Sequence, residues 1–97
     1  MLDHIAIVVK NIEKSVLWYL ENFNAKIKYQ DETWAMLEVC NTSVALTLIN
    51  QHPPHIAFKI DNESLFPEGL DIKMHRDGTK YVYQKDIDGN VIELIYY

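Results

Sequence analysis

The feature that most restricts this fold is an internal repeat. His4-Ile5-Ala6 recurs as His55-Ile56-Ala57, 51 residues later. Leu46-Thr47-Leu48-Ile49 and Ile92-Glu93-Leu94-Ile95 close the two halves at a similar offset. Between these landmarks both halves read in the same order, β-α-β-β-β. Matched letters at the head of segments with one element order mark a duplicated supersecondary unit. The expected fold is α+β, with two βαβββ modules. Module one spans 1–50, a linker 51–54 and module two 55–97, all within a single domain.

The elements follow from local pattern. Residues 2–9 are apolar and β-branched, with Asp3 and His4 as the polar members, and read as a strand. Asn11 is a good N-cap, and Ile12, Val16, Tyr19, Leu20 and Phe23 then fall on one helical stripe. Asn24 sits where a left-handed residue ends a helix. Trp18 projects away from that stripe, as a surface tryptophan or an oligomer contact. Residues 25–31, 33–40 and 43–49 read as three strands. Pro53 and Pro54 make the linker stiff and extended, because neither can donate to a sheet ladder. A strand over 55–60 follows, then a shortened helix within 62–70, interrupted by Pro67 and closed by Gly69. Strands over 70–75, 80–85 and 91–97 complete the chain, with turns at Asp77-Gly78 and Asp88-Gly89.

Charge narrows the function classes. The 97 residues carry a net charge of −5, and their lysines are scattered among acids, so no basic stripe exists to neutralise phosphates. A nucleic-acid partner is therefore not expected. One cysteine, Cys40, excludes an internal disulfide and fits a reducing compartment. No basic n-region opens the chain, and the longest apolar runs are strand-length. A soluble cytoplasmic protein without a membrane partner is expected.

Alternation places the chemistry on one side of the strands. His4 shares a face with Ala6 and Val8, His55 with Ala57 and Lys59, and Glu93 with Val91 and Ile95. The opposite positions, Ile5/Ile7, Ile56/Phe58 and Ile92/Leu94, are apolar and suited to packing helices. A lone carboxylate in a hydrophobic strand is costly without a charge partner, hydrogen bonds or a metal. Two imidazoles and one carboxylate form a set that binds Fe(II), and also Mn, Ni, Co or Zn. The competing reading makes both histidines satisfied strand residues and Glu93 a rim carboxylate. His52 and His75 are alternative ligands; His52, beside the prolines, reads as surface, and His75, beside the Asp77-Gly78 turn, is also a candidate acid or base. Lys59, Arg76 and Lys80 could meet an anionic substrate. Tyr29, Trp34 and Met36 could line a cup or belong to the core. Cys40 has no evident base beside it and reads as inert.

Taken over its whole length, the chain resembles the vicinal-oxygen-chelate superfamily of glyoxalases, extradiol dioxygenases, fosfomycin-resistance enzymes and bleomycin-resistance proteins. Residues 2–9, with His4, are similar to the family's opening strand. His55-Ile56-Ala57-Phe58 is similar to its second-module opening, and residues 81–94, ending at Glu93, to its closing hairpin. The resemblance implies that the modules pair into one curved mixed sheet around a cup. It also implies His4, His55 and Glu93 as ligands of a divalent metal ion. Apart from the resemblance, Glu93 and His75 are the residues available for catalysis. Three departures accompany it. Thr47 aligns with the place where glyoxalases carry another carboxylate, which leaves three ligands, as in the fosfomycin enzymes and dioxygenases. Ile87 replaces a usual proline. The chain is short, with a reduced second helix and few loops to wall a cleft.

Two functions are compatible with this reading. One is a metal-dependent enzyme of the lyase or dioxygenase type, which binds a small substrate through two adjacent oxygens. The other is a non-catalytic protein of the bleomycin-resistance type that sequesters a ligand. The poorly covered apolar positions 56, 58, 60, 92, 94 and 96 suggest a homodimer.

Overall fold

The computed structural model describes residues 1–97. Its elements are β1 (Leu2–Val8), α1 (Ile12–Phe23), β2 (Lys26–Gln30), β3 (Trp34–Val39), β4 (Thr42–Thr47), β5 (His55–Lys59), a 3-10 turn (Glu63–Leu65), β6 (Lys73–Met74), β7 (Lys80–Lys85) and β8 (Val91–Tyr96). The protein is α+β, with one α-helix and eight strands, as its pattern predicts. That helix has 12 residues, and no helix is long and apolar enough to cross a membrane. The chain divides into two compact units, one of His4–Pro54 and one of Met1–Asp3 with His55–Tyr97.

The first unit orders its strands β2-β3-β4-β1. β1 runs parallel to β4, and the β2/β3 and β3/β4 pairs are antiparallel. Asn11 caps α1 by accepting a hydrogen bond from the Lys14 N–H at 2.9 Å, and Asn24 ends it with a φ of 51°. The helix lays Ile12 and Val16 on Ala35, Leu37 and Leu46, with Ile7, Val9, Tyr19 and Leu20 packed around them. Phe23 departs from the expected stripe. It is half exposed and leans on Trp18, with ring centroids 5.5 Å apart. Because Ile7 and Val9 face the helix, the alternating residues His4 and Ala6 face the other way. The β3–β4 loop is Cys40-Asn41, with φ of 50° and 64° at the two positions. Two successive positive φ values are the signature of a type I′ hairpin. A cysteine gives no sequence hint of this conformation, and the turn sits one residue earlier than expected.

The second unit repeats the plan in the order β5-β8-β7-β6. β5 is parallel to β8, and β6/β7 and β7/β8 are antiparallel. The opening residues of β1 belong here, since the Lys59 N–H donates to the Met1 carbonyl at 2.8 Å and the Tyr97 hydroxyl to Asp3 at 2.8 Å. The second helix contracts further than expected, to the single 3-10 turn. Asn62 starts it by accepting from the Ser64 N–H. Pro67 ends it, because a residue preceding proline is driven out of the helical region, and Phe66 has a ψ of 132°. β6 is likewise two residues long where a longer strand was expected. Phe66 folds inward and is buried, as is Val82. Ile56 and Phe58 remain 39% and 38% exposed, on the face that α1 covers in the first unit.

Leu37 is fully buried beneath α1. Leu37→Ala should lower unfolding stability by about 2–5 kcal/mol through lost burial and an unfilled cavity. Urea denaturation should show a lower midpoint with an unchanged slope.

Candidate functional site

The second unit gathers its polar chemistry on one sheet face through register alone. Ala57 pairs with Glu93 across β5/β8, and Glu93 pairs with Tyr83 across β8/β7. Tyr81 pairs with Ile95 and with Lys73. Since side chains alternate with period two, His55, Glu93, Tyr83 and Tyr81 lie on one side, and His75, just past β6, reaches the same carboxylate. Phe58, Leu94 and Val82 lie on the other.

Glu93 is the centre of this face. It is 1% exposed, and each of its carboxylate oxygens meets an imidazole. His55 Nε2 lies 3.4 Å from Oε1, and His75 Nε2 lies 3.1 Å from Oε2. His55 is 8% exposed, whereas His75 is partly open to solvent. A buried carboxylate is tolerated only with such partners. No buried side-chain nitrogen or oxygen is left without a hydrogen-bond partner.

Aromatic rings frame the cluster. His75 stacks on Tyr81 at 3.8 Å with planes 9° apart. Tyr83 meets His55 edge to face at 5.4 Å and Tyr81 likewise at 5.4 Å. The Tyr83 phenol is pushed well above its ordinary pKa, first by burial, then by the negative charge of Glu93 and by Tyr81. The hairpin that carries His75 is tightly closed. The His75 N–H donates to the Thr79 carbonyl and the Gly78 N–H to the His75 carbonyl. Gly78 takes a φ of 90° there. The Asp77 carboxylate accepts from the Thr79 N–H and hydroxyl, which holds its pKa below the usual range.

Within the second unit, His55, Glu93 and His75 stand together. His4 belongs to the first unit, in β1, 9% exposed, on the side of the strand turned away from α1. His52 is partly exposed just before the prolines. Lys59 is exposed over the Tyr97 ring, Arg76 is exposed, and Lys80 pairs with Glu63. Tyr29 and Trp34 stack on each other at 4.7 Å on the first unit's surface. Cys40 is exposed in its turn. Sequence reading overlooked Tyr81 and Tyr83; their spacing of two residues on a strand beside Glu93 was the available signal.

Register also corrects one alignment. With Ala6 matched to Ala57, the partner of Ala6 in β4 is Ala45, and the partner of Ala57 in β8 is Glu93. The first-module counterpart of Glu93 is therefore Ala45, two residues before Thr47. The similar letters of the closing strands had slipped by one full period, which keeps the face but moves the position. The first module still offers no carboxylate there.

A sequence profile of the Glyoxalase/Bleomycin resistance protein/Dioxygenase superfamily matches residues 1–75. Among solved structures, a superfamily member from Vibrio splendidus 12B01 is 14% identical, with a TM-score of 0.73 over 99% of this chain and 98% of that one. A hypothetical protein from Bacillus halodurans C-125 is 17% identical, with a TM-score of 0.76 over 100% and 94%. Methylmalonyl-CoA epimerase from Mycobacterium tuberculosis is 16% identical, with a TM-score of 0.72 over 98% and 86%. At such identities these likenesses are of fold. No functionally curated protein matches the chain.

The raised Tyr83 phenol has a pH consequence. The unfolded phenol ionises near its ordinary value of 10.0 while the folded one stays protonated, so the unfolded state is favoured as pH rises past that point. Stability should be unaffected by this group below about pH 9 and should fall toward about pH 11. In Tyr83→Phe that alkaline loss should be smaller, as measured by urea midpoints at the two pH values.

Proposed function

The chain belongs to the glyoxalase/bleomycin resistance protein/dioxygenase superfamily, and from that premise we propose that it is a metal-dependent enzyme acting on a small substrate that offers two adjacent oxygens. The ligands in this reading are His4, His55 and Glu93. The observation that carries it is the buried Glu93 carboxylate beside His55 on an otherwise apolar strand. The donor set fits a divalent first-row ion. His55 Nε2 and Glu93 Oε1 are 3.4 Å apart, near enough for one small cation to be held by both. His4 is the repeat counterpart of His55, faces away from the helix as His55's strand pattern does, and directly follows Asp3, where β1 leaves the second unit.

A bound ion would supply Lewis acidity, lowering the cost of negative charge on substrate oxygens. The protein's own contribution is orientation and exclusion of water. His55 and Glu93 are buried, so their donor atoms stay desolvated and directed. Tyr83 meets the His55 ring edge to face, and Tyr81 stacks on His75 next to it. Glu93 and His75 are the groups on this face able to take or give a proton. Iron, manganese, nickel, cobalt and zinc all suit two imidazoles and a carboxylate. Ligand capture without turnover is the alternative function.

Metal content separates the two. Protein purified without chelator or histidine tag should carry about one ion per chain. An ion at about 100-fold excess over its dissociation constant should add about 2.7 kcal/mol of stability. His55→Ala and Glu93→Gln should abolish that thermal shift, and His52→Ala should leave it. Absence of metal, with no shift for any of the five ions, would leave ligand capture as the function.

The bare face of the second unit supports a homodimer. Ile56 and Phe58 are exposed where the missing helix would lie, with Ile92 and Leu94 in register beside them. Exposed contiguous apolar positions mark interfaces. Light scattering after size exclusion should give twice the 11.4 kDa chain mass at micromolar concentration. Phe58→Asp should halve the mass; a monomeric wild type would overturn the dimer.

A further inference from the structure

The metal-centre reading leaves His75 with two possible roles, carrying protons or holding Glu93. The geometry points to the second: His75 is a positioning residue that fixes Oε2 of Glu93, so that Oε1 is the oxygen presented beside His55. This inference rests on the metal-centre reading and deepens it.

The two imidazoles stand in different relations to the carboxylate. At 3.1 Å, the His75 Nε2–Oε2 distance lies within the ordinary hydrogen-bond range. The His55 Nε2–Oε1 contact is longer, at 3.4 Å. The two imidazoles thus meet different oxygens of the carboxylate, and His75 makes the closer contact.

A glutamate needs such a partner. Its terminal torsion is broad, so packing along the chain sets the angle of the carboxylate plane only loosely. A hydrogen bond to one oxygen narrows that angle and so directs the other oxygen. Partners of this kind, one step removed from the metal, commonly orient its ligands.

His75 is itself held. Its ring lies flat on Tyr81, and its backbone is bonded to Thr79 and Gly78 on the two sides of the turn. Asp77 closes the same turn through Thr79. A ring clamped this way, with Nε2 already engaged, suits a strut better than a shuttle.

The first module supplies an internal control. Tyr29-Gln30-Asp31 precedes a threonine at Thr33, as His75-Arg76-Asp77 precedes Thr79. Asp31 accepts from Thr33 as Asp77 does from Thr79, and Tyr29 stacks on Trp34 as His75 stacks on Tyr81. The position of Glu93 is there taken by Ala45, and the position of His75 by a tyrosine bonded to Asp31 instead. Where no carboxylate needs holding, no imidazole is present.

The test is metal affinity, measured by calorimetric titration of Co(II) or Mn(II) into the full chain, with the Co(II) visible spectrum as a second signal. His75→Ala should weaken binding by about 10–100-fold at unchanged stoichiometry. His75→Gln, whose amide can still donate to Oε2, should recover most of the loss and keep the wild-type spectrum. Should His75→Ala fail to fold, Tyr81→Leu should weaken binding several-fold by freeing the ring. Equal affinity of wild type and His75→Ala, with His55→Ala still abolishing binding, would overturn the inference while sparing the metal centre. Loss of an ion site in His75→Ala that glutamine does not restore, with a changed spectrum, would make His75 a ligand and also overturn it. A wild type that binds neither ion would overturn both readings together.

Discussion

A carboxylate buried in the middle of a hydrophobic strand is the condition on which the rest of this structure depends. Glu93 is almost wholly enclosed, and an unpaired buried charge would cost several kcal/mol. Its neighbours answer that cost from three strands and a hairpin: β5 supplies His55, β6 leads into His75, and β7 supplies the tyrosines. Removing any one partner leaves the others short of compensation, so the group behaves as a network and not as separate pairs. Replacing the whole network by apolar residues would be a smaller disturbance than breaking it. That this chain keeps a charge in such a position argues for use, since stability alone does not require it.

Much of this was legible in the sequence because strands have period two. His4, His55 and Glu93 could be assigned to faces from alternation, and the faces are those found. The helix was legible through its cap, its stripe and Asn24. Two things were hidden. A slip of two residues preserves the face, so letter similarity made Thr47 the counterpart of Glu93 when pairing makes it Ala45. And the contact of His75 with Glu93 spans 18 residues and depends on how far the β6–β7 hairpin curls; proximity in sequence to a turn indicated a rim position and nothing more.

The shortening of the second helix has a local cause. Pro67 forbids helix immediately before it, and Asn62 caps too close to it for more than one turn to form. What remains, Phe66, is buried, while Ile56 and Phe58 stay exposed on β5. The duplicated plan is thus completed in one module and left incomplete in the other. An incomplete layer invites another surface to finish it, which is how a repeat can acquire a need for a partner without acquiring a new element.

Divergence between the modules also divides their chemistry. Position by position, pairing matches Ala45 with Glu93, Met36 with Tyr83, and Trp34 with Tyr81, while the turn and the stacked ring match Tyr29 with His75. Every polar member of these pairs that can ligate or transfer a proton at low cost is in the second module, and its first-module counterpart is apolar or aromatic. The histidines at the heads of β1 and β5 are the exception, kept in both. The same backbone therefore holds two versions of one surface. One version is reduced to a single imidazole on a hydrophobic ground; the other adds a carboxylate and then the imidazole that orients it. The carboxylate and its strut are informative as a pair: the first module lacks both, and the second has both, in contact.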